Sequence, residues 1–485
     1  MIGKRKVSKI YLIRMDSPIL KENGEHPRHF SPPFTLKYIQ ALAIKDGDFQ
    51  IKLVDCLVTP IPLEKLVNDV LIWDSDLLIV SSSTHSYEQA IQFCSLIKSK
   101  KNIFTVAIGQ GPTAHSLDYS FSASSFDIAL RGEAEKEVIS LLEALKSGKS
   151  EKEISEEYQH KSSKNEVNLI WDLDHLPFPE YTPLETEAYR YLYPIRTWKR
   201  LRWGHILSSR GCQHGCIFCS QIIRETYGSK VRLRSPANVV DEIEYLRSKG
   251  VNIVAFDDDN FTALSKHIIG ICKEILRRKL KVKWIAHARV DELNVFLITL
   301  MKRAGCVLLR FGIESASERI IKIIQKNPRN INWTETSKSI LSCCRRAGIT
   351  TNALFIIGNP GETAEEMKAT IKLSKELSPD LVQVHFFTPY PGSAICENSH
   401  NHALKINELL RMHHYIYPQI NLSNVSADDL ITMRAVFYGS FLLRPFFLLG
   451  HFFNFLLFYI NNIECSYAFS KILKIIFQRR GEERS

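Results

Sequence analysis

Over the first 150 residues, short apolar runs rich in β-branched side chains alternate with stretches of helical period. KIYLIRM, FQIKLVD, SDLLIVSSST, FTVAIGQGPT and the start of FDIALRGEAEKEVISLLEALKSG read as strands. TLKYIQALAIKDG, SYEQAIQFCSLIKSKK and the rest of the last segment read as helices. Strands that alternate with helices imply a parallel sheet covered on both faces. In such sheets a ligand sits beyond the carboxyl ends of the strands, where this sequence places Ser82, Ser83, Thr84 and the loop Gly109-Gln110-Gly111-Pro112-Thr113.

The pattern then breaks and resumes. Residues 151–200 open with the polar stretch SGKSEKEISEEYQHKSSKNEV, read as a linker, and continue with LPFPEYTPLETEAYRYLYP, read as an irregular connector. From 201 to 395, HILSSRG, NIVAFDDDNF, KVKWIAHARV, CVLLRFGIES, TTNALFIIGNPGET and LVQVHFFTPYPGS read as strands with helices between them. Their polar motifs fall at strand ends, as in a full or partial (β/α) barrel. Residues 396–485 read as helical, and PFFLLGHFFNFLLFYINNI at 445–463 holds no charged side chain. Such a run is either packed inside the protein or in contact with a membrane, and the basic residues after it would suit an anionic surface. The expected fold class is thus α/β: an N-terminal Rossmann-like doubly wound parallel sheet (1–150), a connector (151–200), a partial (β/α)6 TIM-like barrel (201–395) and a helical C-terminal region (396–485).

A chain of 485 residues with 45% hydrophobic content exceeds one ordinary core, which agrees with this division. The formal net charge of +11 would suit an anionic partner, but the basic residues are interspersed with acids, so nucleic acid is not the expected one. The opening MIGKRKVSKIYLIRM is basic and then strand-like, without the apolar stretch of a signal peptide. With an odd count of eleven cysteines, this points to a reducing, cytoplasmic setting without disulfides, with peripheral membrane contact by the C-terminal region as the variant.

Three of those cysteines, Cys212, Cys216 and Cys219, share the loop SSRGCQHGCIFCS. Thiolates suit zinc, copper or an iron–sulfur cluster. Zinc needs a fourth ligand, for which His205 and His214 are candidates. A CxxC redox pair leaves Cys212 without a role. A 4Fe–4S cluster held by three thiolates keeps one iron open to an external ligand, and this is the reading that uses all three residues.

CQHGCIFC, including the aromatic Phe218, resembles the signature loop of the radical S-adenosylmethionine (SAM) superfamily. The resemblance implies that SAM chelates the open iron and is cleaved to a 5′-deoxyadenosyl radical. It implies a SAM contact for Glu314 in FGIES, and for Gly358 and Pro360 in IIGNPGET. FDDDNF stands where many members carry a Gly-Gly-Glu segment. Without those glycines its acids, Asp257 and Asp258 first, take over the amino-group contact, while Arg289 is the candidate for the SAM carboxylate. Read without the family, Glu314 is a strand-end acid and the Asp run a solvated turn or cation site. The N-terminal domain resembles the cobalamin-binding domain of one subgroup through PPFTLKYIQALAIKDG, SSST, GQGPTA and LRGEAE. It lacks the Asp-x-His-x-x-Gly motif that gives cobalt a histidine elsewhere. Ser82, Ser83, Thr84, Gly109 and Gly111 are the implied cobalamin contacts.

The expected function is cobalamin-dependent methylation of an unactivated carbon in a small, hydrophobic substrate, with flavodoxin or ferredoxin as electron donor. The alternatives are oxidative cyclisation or ring rearrangement of a lipid- or tetrapyrrole-like molecule, and a non-catalytic iron–sulfur or cobalamin-binding module at a membrane.

Overall fold

The computed structural model describes residues 7–15, 31–45, 49–114, 125–162, 169–191, 193, 201–219, 227–389, 393, 395, 418 and 420–442. The N-terminal strands are β1 (Lys9–Arg14), β2 (Gln50–Asp55), β3 (Leu77–Ser81), β4 (Phe104–Ile108) and β5 (Ile128–Ala129). All pair in parallel, in the order β2-β1-β3-β4-β5. The helices are α1 (Phe34–Lys45), α2 (Leu63–Trp73), α3 (Tyr87–Lys98), α4 (Glu135–Lys146) and α5 (Glu151–Ser162).

Successive side chains of a strand point to opposite faces, and here both faces are covered. Ile10 and Leu12 pack under α1, α4 and α5, while Tyr11 and Ile13 pack under α2 and α3. That is why the central strands β3 and β4, and the middle of β1, are apolar. The sequence reading is corrected at 151–162, where the expected polar linker is helix α5. Its Ile154 and Tyr158, four residues apart, lie on one helical stripe and are buried, and the Tyr158 hydroxyl donates to the Glu137 carbonyl at 2.9 Å. The connector likewise holds a short helix, α6 (Pro183–Ala188), begun by a Thr182–Glu185 capping box.

The second sheet contains β6 (Trp203–Ile206), β9 (Ile253–Phe256), β10 (Lys283–Ala288), β11 (Cys306–Glu314), β12 (Thr350–Ile357) and β13 (Leu381–Phe386). Each strand pairs in parallel with the next in sequence, in the order β13-β12-β11-β10-β9-β6. Between β6 and β9, the short antiparallel pair β7 (Ser209–Arg210) and β8 (Arg232–Leu233) frames the cysteine loop. The outer face, with Phe256, Trp284, Phe311 and Phe355, packs on α7 (Pro236–Ser248), α8 (Ser265–Arg277), α9 (Val295–Arg303), α10 (Glu318–Ile323), α11 (Trp333–Ala347) and α12 (Ala364–Leu377). Helix α13 (Ala427–Leu442) adds Phe437 against Phe355, ring centroids 5.0 Å apart. On the inner face, Trp203, Ile253, Ile285 and Leu308 form an apolar floor, with Tyr193 packed on it.

Among the described residues no helix is long and apolar enough to cross a membrane. The segment 445–463 lies outside the described residues.

Candidate functional site

The cysteine loop leaves the carboxyl end of β6. Its backbone is fastened by the Cys219 N–H donating to the Cys216 carbonyl (3.1 Å) and the Ile217 N–H donating to Ile324 at the end of α10 (3.1 Å). Both histidines considered as fourth ligands are committed elsewhere. His205 Nδ1 meets Asp257 at 2.7 Å and its Nε2 lies 3.2 Å from the Tyr189 carbonyl, while His214 Nε2 meets Glu292 at 2.8 Å. No trio of His, Cys, Asp or Glu among the described residues gathers as the ligands of one metal ion would. Zinc would draw its sulfurs to within about 4 Å of one another.

The thiols still feel one another. Cys219, although its side chain reaches solvent, is pushed up by the apolar wall around it, with Cys216 and Cys212 adding to the rise; partial burial also pushes Cys212 up, against a backbone N–H from His214. Three thiols on one loop, each feeling the others' charge, could serve as the three protein ligands of a 4Fe–4S cluster.

Around the loop stand residues from several strand ends. Arg289, after β10, is buried; it forks onto Asp291 (2.9 and 3.0 Å), donates to the Lys326 carbonyl (2.6 Å), and turns Nη1 toward Cys216 Sγ at 3.8 Å. With the fork occupied by Asp291, its position suits charge compensation at the cysteines better than a SAM carboxylate. Glu314 closes β11 in the left-handed region, φ 66°, just past a bulge. It pairs with Lys326 at 2.8 Å, and the Lys326 ammonium lies 5.6 Å from the centre of the Phe218 ring. Phe218, Lys326 and Glu314 thus form one contact chain beside the cysteines. Lys326 carries no signal in the sequence.

The three aspartates diverge. Asp257 accepts from the Tyr191 hydroxyl (2.7 Å) as well as facing His205. Asp258 turns inward to the hydroxyls of Ser208 and Ser209, and burial pushes it up to about 6. Asp259 is the one that faces the cysteines: its charge acts on Cys212 and Cys219, and it accepts the Gly211 N–H. The side chain is exposed, and the crowded backbone around it and then the Asp258 charge push its carboxyl above the usual range. Gly358 and Pro360 follow β12, where the loop is held by the C-terminal region: Gly361 donates to Leu422 (2.8 Å) and Asn424 to Glu362 (2.9 Å). The structure brings Phe218, Asp259, Arg289 and Glu314 to the cysteine loop, and holds Asp257 and Asp258 in packing contacts.

At the carboxyl edge of the first sheet the loops after β3 and β4 interlock. Gly111 N–H donates to the Ser82 carbonyl at 3.0 Å, and a Cβ at 111 would meet Ser82 Oγ at 2.4 Å and the Tyr87 ring at 2.7 Å. This glycine is therefore required by protein packing. Gly109 lies beside it, against the same Ser82 carbonyl, and Ser83 caps the next turn through Ser86. Thr84, the first residue of that turn, is buried. Among the described residues the buried Ser82 hydroxyl has no hydrogen-bond partner, the kind of polar atom a ligand can satisfy.

A feature absent from the sequence reading joins the two sheets. Glu133 and Glu135, the acids of LRGEAE, are buried against Arg210 and Arg232: Arg232 forks onto Glu133 (2.7 and 2.8 Å), and Arg210 reaches Glu135 (2.7 Å) and Glu133 (3.2 Å). Arg210 stands two residues before Cys212, so the first sheet is pinned at the root of the cysteine loop.

Residues 206–374 match the family model of the radical SAM superfamily, so the chain carries a radical SAM domain. It is an enzyme of the kind that works with a 4Fe–4S cluster and SAM. The chain is 29% identical over 423 residues to an uncharacterised methyltransferase of Pyrococcus horikoshii, covering 85% of this chain and 88% of the relative. It is 26% identical over 374 residues to the anaerobic magnesium-protoporphyrin IX monomethyl ester cyclase of Rubrivivax gelatinosus, covering 75% of this chain and 65% of the cyclase. In fold it is similar to the radical SAM methyltransferase TsrM of Kitasatospora setae, solved with cobalamin and a 4Fe–4S cluster bound, with TM-score 0.62 at 17% identity over 81% of this chain and 78% of TsrM. It is also similar to the cobalamin-dependent radical SAM enzyme OxsB, with TM-score 0.58 at 16% identity over 87% of this chain and 58% of OxsB.

Proposed function

We propose that this protein is a cobalamin-dependent radical SAM methyltransferase acting on an unactivated carbon of a small molecule. The observation that carries the proposal is the buried Glu133/Glu135–Arg210/Arg232 lock, which fixes the ligand-binding edge of the first sheet to the root of the cysteine loop. In this reading residues 1–150 form a Rossmann-like cobalamin-binding domain, 151–200 a connector, 201–395 a partial (β/α)6 barrel and 396–485 a helical region. Cys212, Cys216 and Cys219 hold the cluster. Asp259 and Glu314 orient SAM, Arg289 offsets negative charge at Cys216, and the Gly358–Pro360 loop borders the adenine. Ser82, with Gly109 and Gly111 letting the two loops close on it, receives the cobalamin tail. When bound, the cluster with SAM supplies a hydrogen-abstracting radical and cobalamin a transferable methyl group. The protein's own part is to position both and exclude water. An external reductant such as flavodoxin or ferredoxin completes the system.

The similarity to the ester cyclase supports a second reading, oxidative ring formation. Purified, anaerobically reconstituted protein separates the two. Methyl transfer requires stoichiometric retention of cobalamin and, with substrate, passage of isotope from methyl-labelled SAM into product. Product formation without label favours the cyclase reading, and binding of neither SAM nor cobalamin overturns both.

A further inference from the structure

Above the apolar floor, the inner face of the second sheet becomes polar. In the parallel register His287 of β10, Arg310 of β11 and Asn352 of β12 stand side by side. Arg310 interrupts the otherwise apolar run CVLLRFG, and none of its contacts is to a carboxylate. Its Nη1 donates to His287 Nε2 at 2.6 Å, which fixes that imidazole as a neutral acceptor. Its guanidinium lies 5.7 and 5.6 Å from the ring centres of Tyr191 and Tyr193. Its Nε is buried without a partner. Next to it, Asn352 is 1% exposed; its side chain is within reach of the Tyr193 hydroxyl, and among the described residues neither its nitrogen nor its oxygen makes a well-formed hydrogen bond. The carboxylate at the end of β9, Asp257, is taken by His205 and Tyr191. His385, from β13, is held neutral by burial and by Arg310 and Arg434. Among the described residues this face therefore carries a cation with no carboxylate against it and a buried amide met only by the Tyr193 hydroxyl, an arrangement that is costly unless a ligand completes it.

We propose that Arg310 and Asn352 bind the oxyanion of an anionic substrate, a carboxylate or a phosphate, on the inner face of the second sheet. A guanidinium offers forked donors to either group, and the Asn352 amide adds another. The Tyr191 and Tyr193 rings lie against the guanidinium and shield part of it from solvent. The proposal rests on the radical SAM methyltransferase reading above, in which a substrate would sit on the inner face of the partial barrel, and it names the part of the substrate held there.

The test is anion binding by the full, reconstituted chain, measured by calorimetry with inorganic phosphate and, separately, with propionate. At least one should bind with a dissociation constant of about 1 mM or tighter, and the one that binds identifies the oxyanion class. Arg310→Gln, checked for unchanged circular dichroism and iron content, should weaken that binding about tenfold or more. Binding of neither anion, or equal binding by the variant, overturns the proposal. Should the variant misfold, crystals of the unmodified protein soaked in selenate decide the matter: an anomalous peak beside Arg310 and Asn352 supports the site, and its absence overturns it. Formation of 5′-deoxyadenosine from SAM is read separately, so anion binding can fail while the radical SAM assignment stands.

Discussion

A side chain at position 312 would have nowhere to go. A Cβ there would meet Glu314 Oε1 at 2.3 Å and Lys326 Nζ at 2.7 Å, so the glycine of FGIES makes room for the buried ion pair beside the cysteine loop. Gly312→Ala should destabilise the protein by about 1–3 kcal/mol and impair SAM cleavage, read by urea denaturation and by 5′-deoxyadenosine yield. Glu362 gives a pH signature away from the cysteines. Fully buried, it is pushed up from 4.5 to about 7, against hydrogen bonds from Asn359. A carboxyl raised in this way binds its proton more tightly when folded. Its contribution is whole below about pH 4.5 and is lost as pH rises through about 7. Between those limits wild type should lose on the order of 2 kcal/mol that Glu362→Gln does not lose, measured as urea midpoints across the range. Residue direction was the part least legible from sequence. Three consecutive aspartates end β9, and nothing in FDDDNF says that Asp257 and Asp258 turn into packing while Asp259 faces the cysteines. The three thiols, by contrast, announce themselves by spacing. Arg310 is readable as a charge inside the apolar strand CVLLRFG, but the FGIES motif beside it gives no hint of its partners on the neighbouring strands.

Among the elements, strands and helices were legible wherever period and burial agree. β3, LLIVS, is apolar because both of its faces are covered. Helix α5 was not legible, because a mostly charged helix needs only Ile154 and Tyr158 to hold it. The motif LRGEAE was legible as a strand-end segment, but its role between the sheets was not, since Arg210 and Arg232 lie 75 and 99 residues from their partners. That lock yields a prediction at this scale. Glu133→Gln leaves the Arg232 fork buried without its anion and should cost about 3–5 kcal/mol, with loss of iron because Arg210 anchors the cysteine loop. Unchanged thermal stability and iron content in that variant would mean that the two sheets are held together by other contacts.

At the scale of the molecule, two parallel sheets meet at their functional edges. The first presents Ser82 and the interlocked loops after β3 and β4, and the second presents the cysteine loop with Arg289, Glu314 and Asp259. Division of the chain into these halves follows from sequence periodicity alone, while their docking depends on long-range charge pairs that no local pattern encodes. The inner face of the second sheet is apolar at its floor and cationic above, and in the proposed reading it holds the oxyanion of the substrate. All of this depends on the cysteine loop being a three-thiolate cluster site that cleaves SAM. The most direct test is to reconstitute the protein anaerobically, reduce it, add SAM and quantify 5′-deoxyadenosine beside Cys216→Ala. The account predicts its formation by wild type and none by the variant. Equal yields from the two, or none from a wild-type protein with a full complement of cluster iron, would contradict it.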